Sequence, residues 1–373
     1  MTFGGKGSDE IFCVSEKVVQ EFNLEEKLLK KVLKGRDIRK WRISWNDRFL
    51  VYPYDEIGKE ISLKEFSNIH KYLKRFQSTL ARRILDGKEI SEWGKVWYSF
   101  WRIRTSQVFE SRKIVSPRIS KANSFALDQG GDYYLTDSAV AIITKNLDLK
   151  YLLGLLNSTL LFSFIKNTSP FVQGRYYSYT RAYLEKLPIK VPINEKEKQI
   201  ANEIITDVDK ILNLGDIENF SSFESLIEKF KSEFPQYSDI QLIPLSDIPG
   251  LIHIQLEKRL GKPKISREGK RVYLARKSYI DVVNEDLAEY MELYLKSIQE
   301  TLRGLTKPDI LRVVKVPQDE KMVETLLFHN RGLKDERKEL NQKRNELDRE
   351  IDRKIHELYG LSEEEIRTVE ESL

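Results

Sequence analysis

The pattern of apolar and polar positions changes period several times along the chain, and its clearest run begins at residue 149. Tyr151, Leu152, Leu155, Leu156, Leu160 and Phe164 recur at helical spacing and predict one buried helix, ending near Asn167-Thr168-Ser169-Pro170 because proline disfavours the α conformation in the residue before it. The next segment, Gly174 to Arg181, sets two arginines, three tyrosines and two hydroxyl residues in eight positions. A short β-like run at 187–192 follows. A charged amphipathic helix then starts with Asn194 as N-cap and carries Ile200, Ile204, Ile205, Val208, Ile211 and Leu212.

Upstream, the pattern predicts a strand at 11–14, an amphipathic helical end at 28–33 and a strand at 49–54 closed by Pro53. A helix is expected over 62–83, a strand over 113–120, a β-hairpin over 124–136 turning at Gly130-Gly131, and a strand over 139–143. Downstream, residues 214–262 alternate helical and loop signals, 271–283 reads as a strand, and 286–302 as a helix. Between 331 and 358, Leu333, Leu340 and Leu347 stand seven apart, and Ile351, Ile355 and Leu358 continue at helical spacing, which predicts a coiled-coil-like helix stopped at Gly360. A short acidic helix over 361–371 ends the chain. The fold class expected is α+β, with a mixed-strand domain at 1–193, a spacer helix at 194–213, an α+β or helical subdomain at 214–330 and C-terminal docking helices at 331–373.

Composition narrows the classes. With 40% apolar residues over 373 positions the chain can bury two or three cores. One cysteine, Cys13, excludes an internal disulfide and a cysteine-based zinc cage, and the four histidines lack metal-ligand spacing, so no metal site is expected. No apolar run has membrane-spanning length and the first residues lack a signal-peptide layout, which gives no membrane partner and a cytoplasmic expectation. Charge is unevenly placed: residues 31–120 hold 21 Lys/Arg against 10 Asp/Glu, so the rest of the chain is net acidic. A basic third interleaved with aromatics suits a polyanion.

Candidate contacts follow from that patterning. Lys34, Arg36, Arg39 and Lys40 stand beside Gly35 and Trp41, a composition suited to phosphates. Arg102, Arg104 and Arg118 belong to a second basic aromatic cluster, and arginine can bond guanine O6 and N7 together. Trp97 and Trp101, four apart, read as core, and the lysines of the 62–83 helix as a solvated face. Gln173, Arg175, Tyr177, Tyr179 and Arg181 lie in the polar aromatic loop, which is the best-placed base reader.

Several segments carry a family resemblance in one collinear order: LKGRDIRKW at 33–41, NIHKYLKRF at 68–76, PRIS at 117–120, FALD at 125–128, YYLTDS at 133–138, YLLGLLNS at 151–158 and LEKLPI at 184–189. Over roughly 3–205 the chain resembles the TaqI-like C-terminal specificity (target-recognition) domain of adenine-N6 DNA methyltransferases of type II and IIG restriction-modification systems. The opening is similar to that family's TG-x-N/D-x-x-F segment, with Lys6 where the family has threonine. Type I specificity subunits end their recognition domains similarly, and HELYGLSEEEI at 356–366 resembles the end of many fused methyltransferases. The resemblance implies a sequence-specific double-stranded DNA-binding module that directs a methyltransferase, with or without a nuclease, fused or on a separate subunit. S-adenosylmethionine would be held by that moiety and no cofactor by this chain.

Catalytic motifs are missing. The Asn/Asp-Pro-Pro-Tyr/Phe loop that grips a flipped adenine does not occur, nor does a glycine-rich strand-to-helix turn. One alternative is a Mg²⁺-dependent nuclease using Asp309, Asp319 and Lys321, since Pro308-Asp309 and Asp319-Glu320-Lys321 fit a PD…(D/E)-x-K pattern. That chemistry requires Asp309 to end a strand that hairpins onto a second strand. Another alternative is a protein-protein adaptor whose basic face meets an acidic partner.

Overall fold

The apolar positions between residues 29 and 51 form a sheet in the computed structural model, which describes residues 7–103, 106–172, 174–214, 223–248, 253–256 and 258–372. Leu29–Leu33 is a strand and not a helical end, because it pairs antiparallel with Arg48–Val51, and this places Val32, Leu33, Leu50 and Val51 in the core. Long-range pairing here outweighs local helical preference. The chain divides into two units, Met1–Leu214 with Arg344–Leu373, and Gly215–Lys343. Half of it is helical and 18% is strand, in several small sheets, which is an α+β fold.

In the first unit, Cys13–Ser15, Arg48–Val51, Leu29–Leu33 and Tyr134–Leu135 form a four-stranded sheet in that order. The last strand runs parallel to Leu29–Leu33, so residues 124–136 do not make a hairpin. Ala126–Asp128 instead pairs with Lys113–Pro117, whose other edge takes Ala139–Ile142. Every residue of Lys113–Pro117 is buried, as expected of a central strand. A third small sheet joins Phe171–Val172, Tyr176–Ser178 and Ile119–Ser120.

The helix expected over 151–164 is two helices, Leu149–Asn157 and Thr159–Thr168. Ser158 is extended and caps both, its hydroxyl donating to the Leu155 carbonyl at 2.7 Å and accepting the Leu161 N–H at 3.2 Å. The 62–83 segment is likewise divided into Ser67–Lys74 and Gln77–Ala81. Residues 8–12 are helical before the strand at Cys13. No strand forms at 187–192, where Pro188 and Pro192 lack the donors a ladder needs. Asn194 does cap Glu195–Asn213, accepting the Glu197 N–H at 2.9 Å.

Glu195–Asn213 packs its Ile204 and Val208 against Leu149–Asn157 at Gly154, where a Cβ would stand 2.7 Å from Ile204 Cγ2. Ile351, Ile355 and Leu358 join the same core. They come from the end of the 40-residue helix Glu320–Tyr359. The apolar face expected to dock a partner is therefore covered, from Ile351 onward, by the chain itself.

In the second unit, 271–283 is a hairpin of Arg271–Ala275 and Ser278–Asp281 inside a four-stranded antiparallel sheet, with helix Glu285–Ser297 packed on it. The carboxylates of the nuclease alternative are helix caps here. Asp309 Oδ2 accepts the Thr306 N–H at 3.0 Å and the Thr306 hydroxyl at 2.5 Å, and Asp319 Oδ1 accepts the Lys321 and Met322 N–H groups at 2.9 and 3.3 Å. Asp309 begins a helix and does not end a strand, so the paired-strand geometry of that chemistry is not formed. Among the described residues no helix is long and apolar enough to cross a membrane, and no three acids, histidines or cysteines are grouped so that they could hold a metal ion.

Candidate nucleic-acid interface

The strand Lys113–Pro117 delivers Arg118 to the wall of a groove of about 1030 Å³ in the first unit. Arg118 is exposed, but its backbone is fixed on both sides. Its N–H donates to the Ser138 carbonyl at 2.8 Å, and its carbonyl accepts the Tyr179 N–H at 2.8 Å. Arg102 and Arg181 line the same groove, together with Thr180 and the carboxylates Asp137 and Glu185. Arg181 is 87% exposed at its side chain and touches Glu185 at 2.5 Å. At such exposure this pair contributes little, so the guanidinium can exchange Glu185 for another anion. The floor is apolar, made by Ala139–Ile142 with Leu152 and Leu156.

The Lys34 to Asp37 turn is fastened to this wall through Ser138. The Gly35 N–H donates to Ser138 Oγ at 2.9 Å, and a Cβ on residue 35 would come within 2.5 Å of the Ser138 carbonyl oxygen. Only glycine fits that approach. Asp37 is fully buried and holds the turn by accepting from the Lys34 N–H at 2.7 Å, Asn46 Nδ2 at 2.9 Å and Arg48 Nη2 at 3.0 Å. Arg36 is left projecting to solvent, whereas Lys34 is half-buried. Arg39 is exposed but folds back, Nη1 donating to the Arg36 and Ile38 carbonyls at 2.5 and 3.0 Å.

Other sequence candidates fall elsewhere. Lys40 pairs with Asp348 at 2.6 Å, and the Trp41 indole N–H donates to the other oxygen of the same carboxylate at 3.1 Å. This corner therefore grips the chain's own C-terminal helix. Tyr179 is fully buried, its hydroxyl donating to Asn123 Oδ1 at 3.0 Å, and burial pushes its phenol well above the usual range. Tyr177 is buried between Phe162 and Phe171, at ring distances of 5.8 and 5.2 Å. These two tyrosines are core residues that carry the hairpin. Arg175 is exposed at the hairpin turn with φ of 62°. Arg104 and Gln173 lie outside the described residues.

Sequence reasoning missed the joint at Ser138, the groove residues Thr180 and Asp137, and the exposed hairpin residues Phe171 and Tyr176. The hairpin had a signal: apolar and aromatic residues either side of Gly174-Arg175.

Comparison with known proteins bears on this region. Residues 30–189 match the TaqI-like C-terminal specificity domain. The chain is similar to the type II methyltransferase M.BstVI of Geobacillus stearothermophilus, 21% identical over 228 residues, which is 60% of this chain and 39% of that protein. It is also similar to the type II methyltransferase M.PaeR7I of Pseudomonas aeruginosa, 23% identical over 154 residues, 41% of this chain and 26% of that protein. The chain thus spans well under half the length of these curated relatives. Similar solved structures include the type IIL restriction-modification enzyme MmeI in complex with DNA (16% identity, TM-score 0.44, 57% of this chain and 27% of that one). The type IIG restriction endonuclease BpuSI is another (13%, 0.37, 55% and 24%). The matched segment, residues 30–189, holds the groove wall with Arg118, the Gly35 turn and the hairpin.

Proposed function

We propose that the chain is the sequence-reading module of a restriction-modification system and brings an adenine-N6 methyltransferase moiety, fused or on a partner subunit, to its site on double-stranded DNA. The observation that carries this reading is the convergence of Arg102, Arg118 and Arg181 on one groove within the specificity-domain segment. Arginine serves both tasks such a module has, bidentate recognition of guanine and phosphate contact. The fixed backbone of Arg118 favours base reading, because a base contact needs a defined approach. Arg36 and Arg175, outward on turns, suit phosphates. S-adenosylmethionine, the target adenine and any nuclease centre would belong to the partner moiety, and the system would work in the cytoplasm.

Selection of bound duplexes from a random-sequence pool at moderate salt tests this. Enrichment of one short motif is expected. Arg118→Ala should then cost about 1–3 kcal/mol on the enriched duplex and relax one position of the motif. An equal loss on every sequence would reassign Arg118 to phosphate. No duplex binding even at low salt would refute the reading and leave an acidic protein partner for the basic face.

A further inference from the structure

The hairpin from Phe171 to Ser178 has a composition that the groove does not account for. Phe171 is 70% exposed, and Val172, Tyr176 and Ile119 on the same small sheet are also exposed. An exposed phenylalanine normally swings freely, but this one is braced. Its ring meets Tyr177 at 5.2 Å, and Tyr177 meets Phe162 of helix Thr159–Thr168 edge-on at 5.8 Å. The stack runs from the core to the protruding ring.

Two further observations say what this blade meets. Strand register places Phe171 opposite Tyr177 and Val172 opposite Tyr176, so successive residues put exposed apolar groups on both faces of the hairpin. A docking patch for a flat surface would be apolar on one face only. Secondly, the exposed charged residues next to these three strands are cations: Arg118 and Lys121 flank Ile119–Ser120, and Arg175 precedes Tyr176. Arg175 stands at the turn, and the Lys121 ammonium lies 5.3 Å over the Tyr176 ring. An apolar blade with cations around it fits a target whose apolar interior is layered between rows of phosphates, which is a base stack.

We infer that Phe171, braced by Tyr177, enters a base step of the bound duplex and unstacks it. The inference rests on the DNA-recognition reading above and adds a named wedge to it. Apolar side chains inserted in this way partly unstack and kink a duplex, while neighbouring cations hold its phosphates. The hairpin leads directly into Thr180 and Arg181 of the groove wall, so insertion and groove contact are coupled through two residues of chain.

The test uses the full chain and the duplex most enriched from a random-sequence pool, with 2-aminopurine placed in turn at each purine and permanganate probing of thymines. Bound to the native chain, one step should become bright or reactive. Phe171→Ala should return that step to the level of free duplex and lower affinity roughly 5- to 150-fold, whereas Phe171→Trp should keep both signals. Phe171 is a surface residue, so the variants fold. A bound duplex that stays fully stacked, or a reactive step that persists in Phe171→Ala, overturns the wedge and leaves the DNA reading standing. No duplex binding by the native chain overturns that reading, and the wedge with it. Binding to phosphatidylserine vesicles that is lost in Phe171→Ala, while the duplex signals do not change, would assign the blade to a membrane surface and overturn the wedge.

Discussion

Lys113 starts the strand that carries Arg118, and both it and its partner Asp128 are out of solvent, at 0% and 1% side-chain exposure. Its ammonium donates to the Phe109 carbonyl and to Asp128, whose carboxylate also accepts the Asp132 and Tyr133 N–H groups at 3.0 and 3.2 Å. Replacing Lys113 with Met keeps the volume but strands a buried carboxylate with two backbone donors and no cation. Breaking such a pair costs about 3–5 kcal/mol. The expected loss for Lys113→Met is therefore about 3–5 kcal/mol. Lys113→Met/Asp128→Asn removes the charge and keeps an acceptor, and should recover about 2 kcal/mol of the loss. All five tryptophans lie between Trp41 and Trp101, so fluorescence in a urea titration follows the first unit. A loss under about 1 kcal/mol, or a double variant no more stable than Lys113→Met, would refute the reasoning.

Two further substitutions test the supports of the groove. Gly35→Ala forces a Cβ against the Ser138 carbonyl oxygen, and should cost about 1–3 kcal/mol in the same titration and weaken duplex binding beyond what Arg36→Ala does. Asp352 accepts the Thr159 N–H at 2.8 Å, yet burial raises its carboxyl above the ordinary range against the opposing pull of that hydrogen bond and of Lys40. A carboxyl raised on folding contributes stability that is present below its unfolded value and lost as pH rises through its folded one. Asp352→Asn keeps the acceptor and removes that loss, so the variant should match or exceed the parent by up to about 1 kcal/mol at pH 7 and lose the advantage toward pH 4, read as the melting temperature against pH.

Elements whose signals are local were legible in the sequence. Asn194 capping its helix, the long helix ending at Gly360, and the buried strand from Lys113 all follow from nearby residues. The break at Ser158 was legible too, since Asn157-Ser158-Thr159 is a capping sequence in an apolar run, but the continuous period masked it. Leu29–Leu33 was not legible, because the residues it pairs with lie eighteen to twenty-two positions away, in Arg48–Val51. In the 174–181 segment the alternation shows two faces without saying which is inward. Tyr177 and Tyr179 turned out to be the inward set, and Tyr176 the outward one.

The same limit governs the charges, and it decides which cations are available to DNA. A basic run read along the chain counts every lysine and arginine equally, but folding has already assigned many of them. Lys40 is taken by Asp348 and Lys113 by Asp128, two acids from outside residues 31–120. These acids lie 308 and 15 positions from their partners, so no local count could cancel the pairs. Arg102, Arg118 and Arg175 have no ion-pair partner among the described residues, and Arg181 has only an exposed one. These residues come from separate parts of the sequence, and two of them share a wall because Ser138 and Tyr179 fix Arg118 from either side. The excess of charge in residues 31–120 thus overstates what that third offers to a polyanion. The more informative feature is the exposure of Arg118 and Lys121 beside Ile119–Ser120 and of Arg175 beside Tyr176–Ser178, strands that become one surface only through the pairing of Tyr177 with Ser120 and Ser178 with Ile119. An unpaired cation must wait for an anion from outside the chain, and here the waiting ones surround the groove and the hairpin.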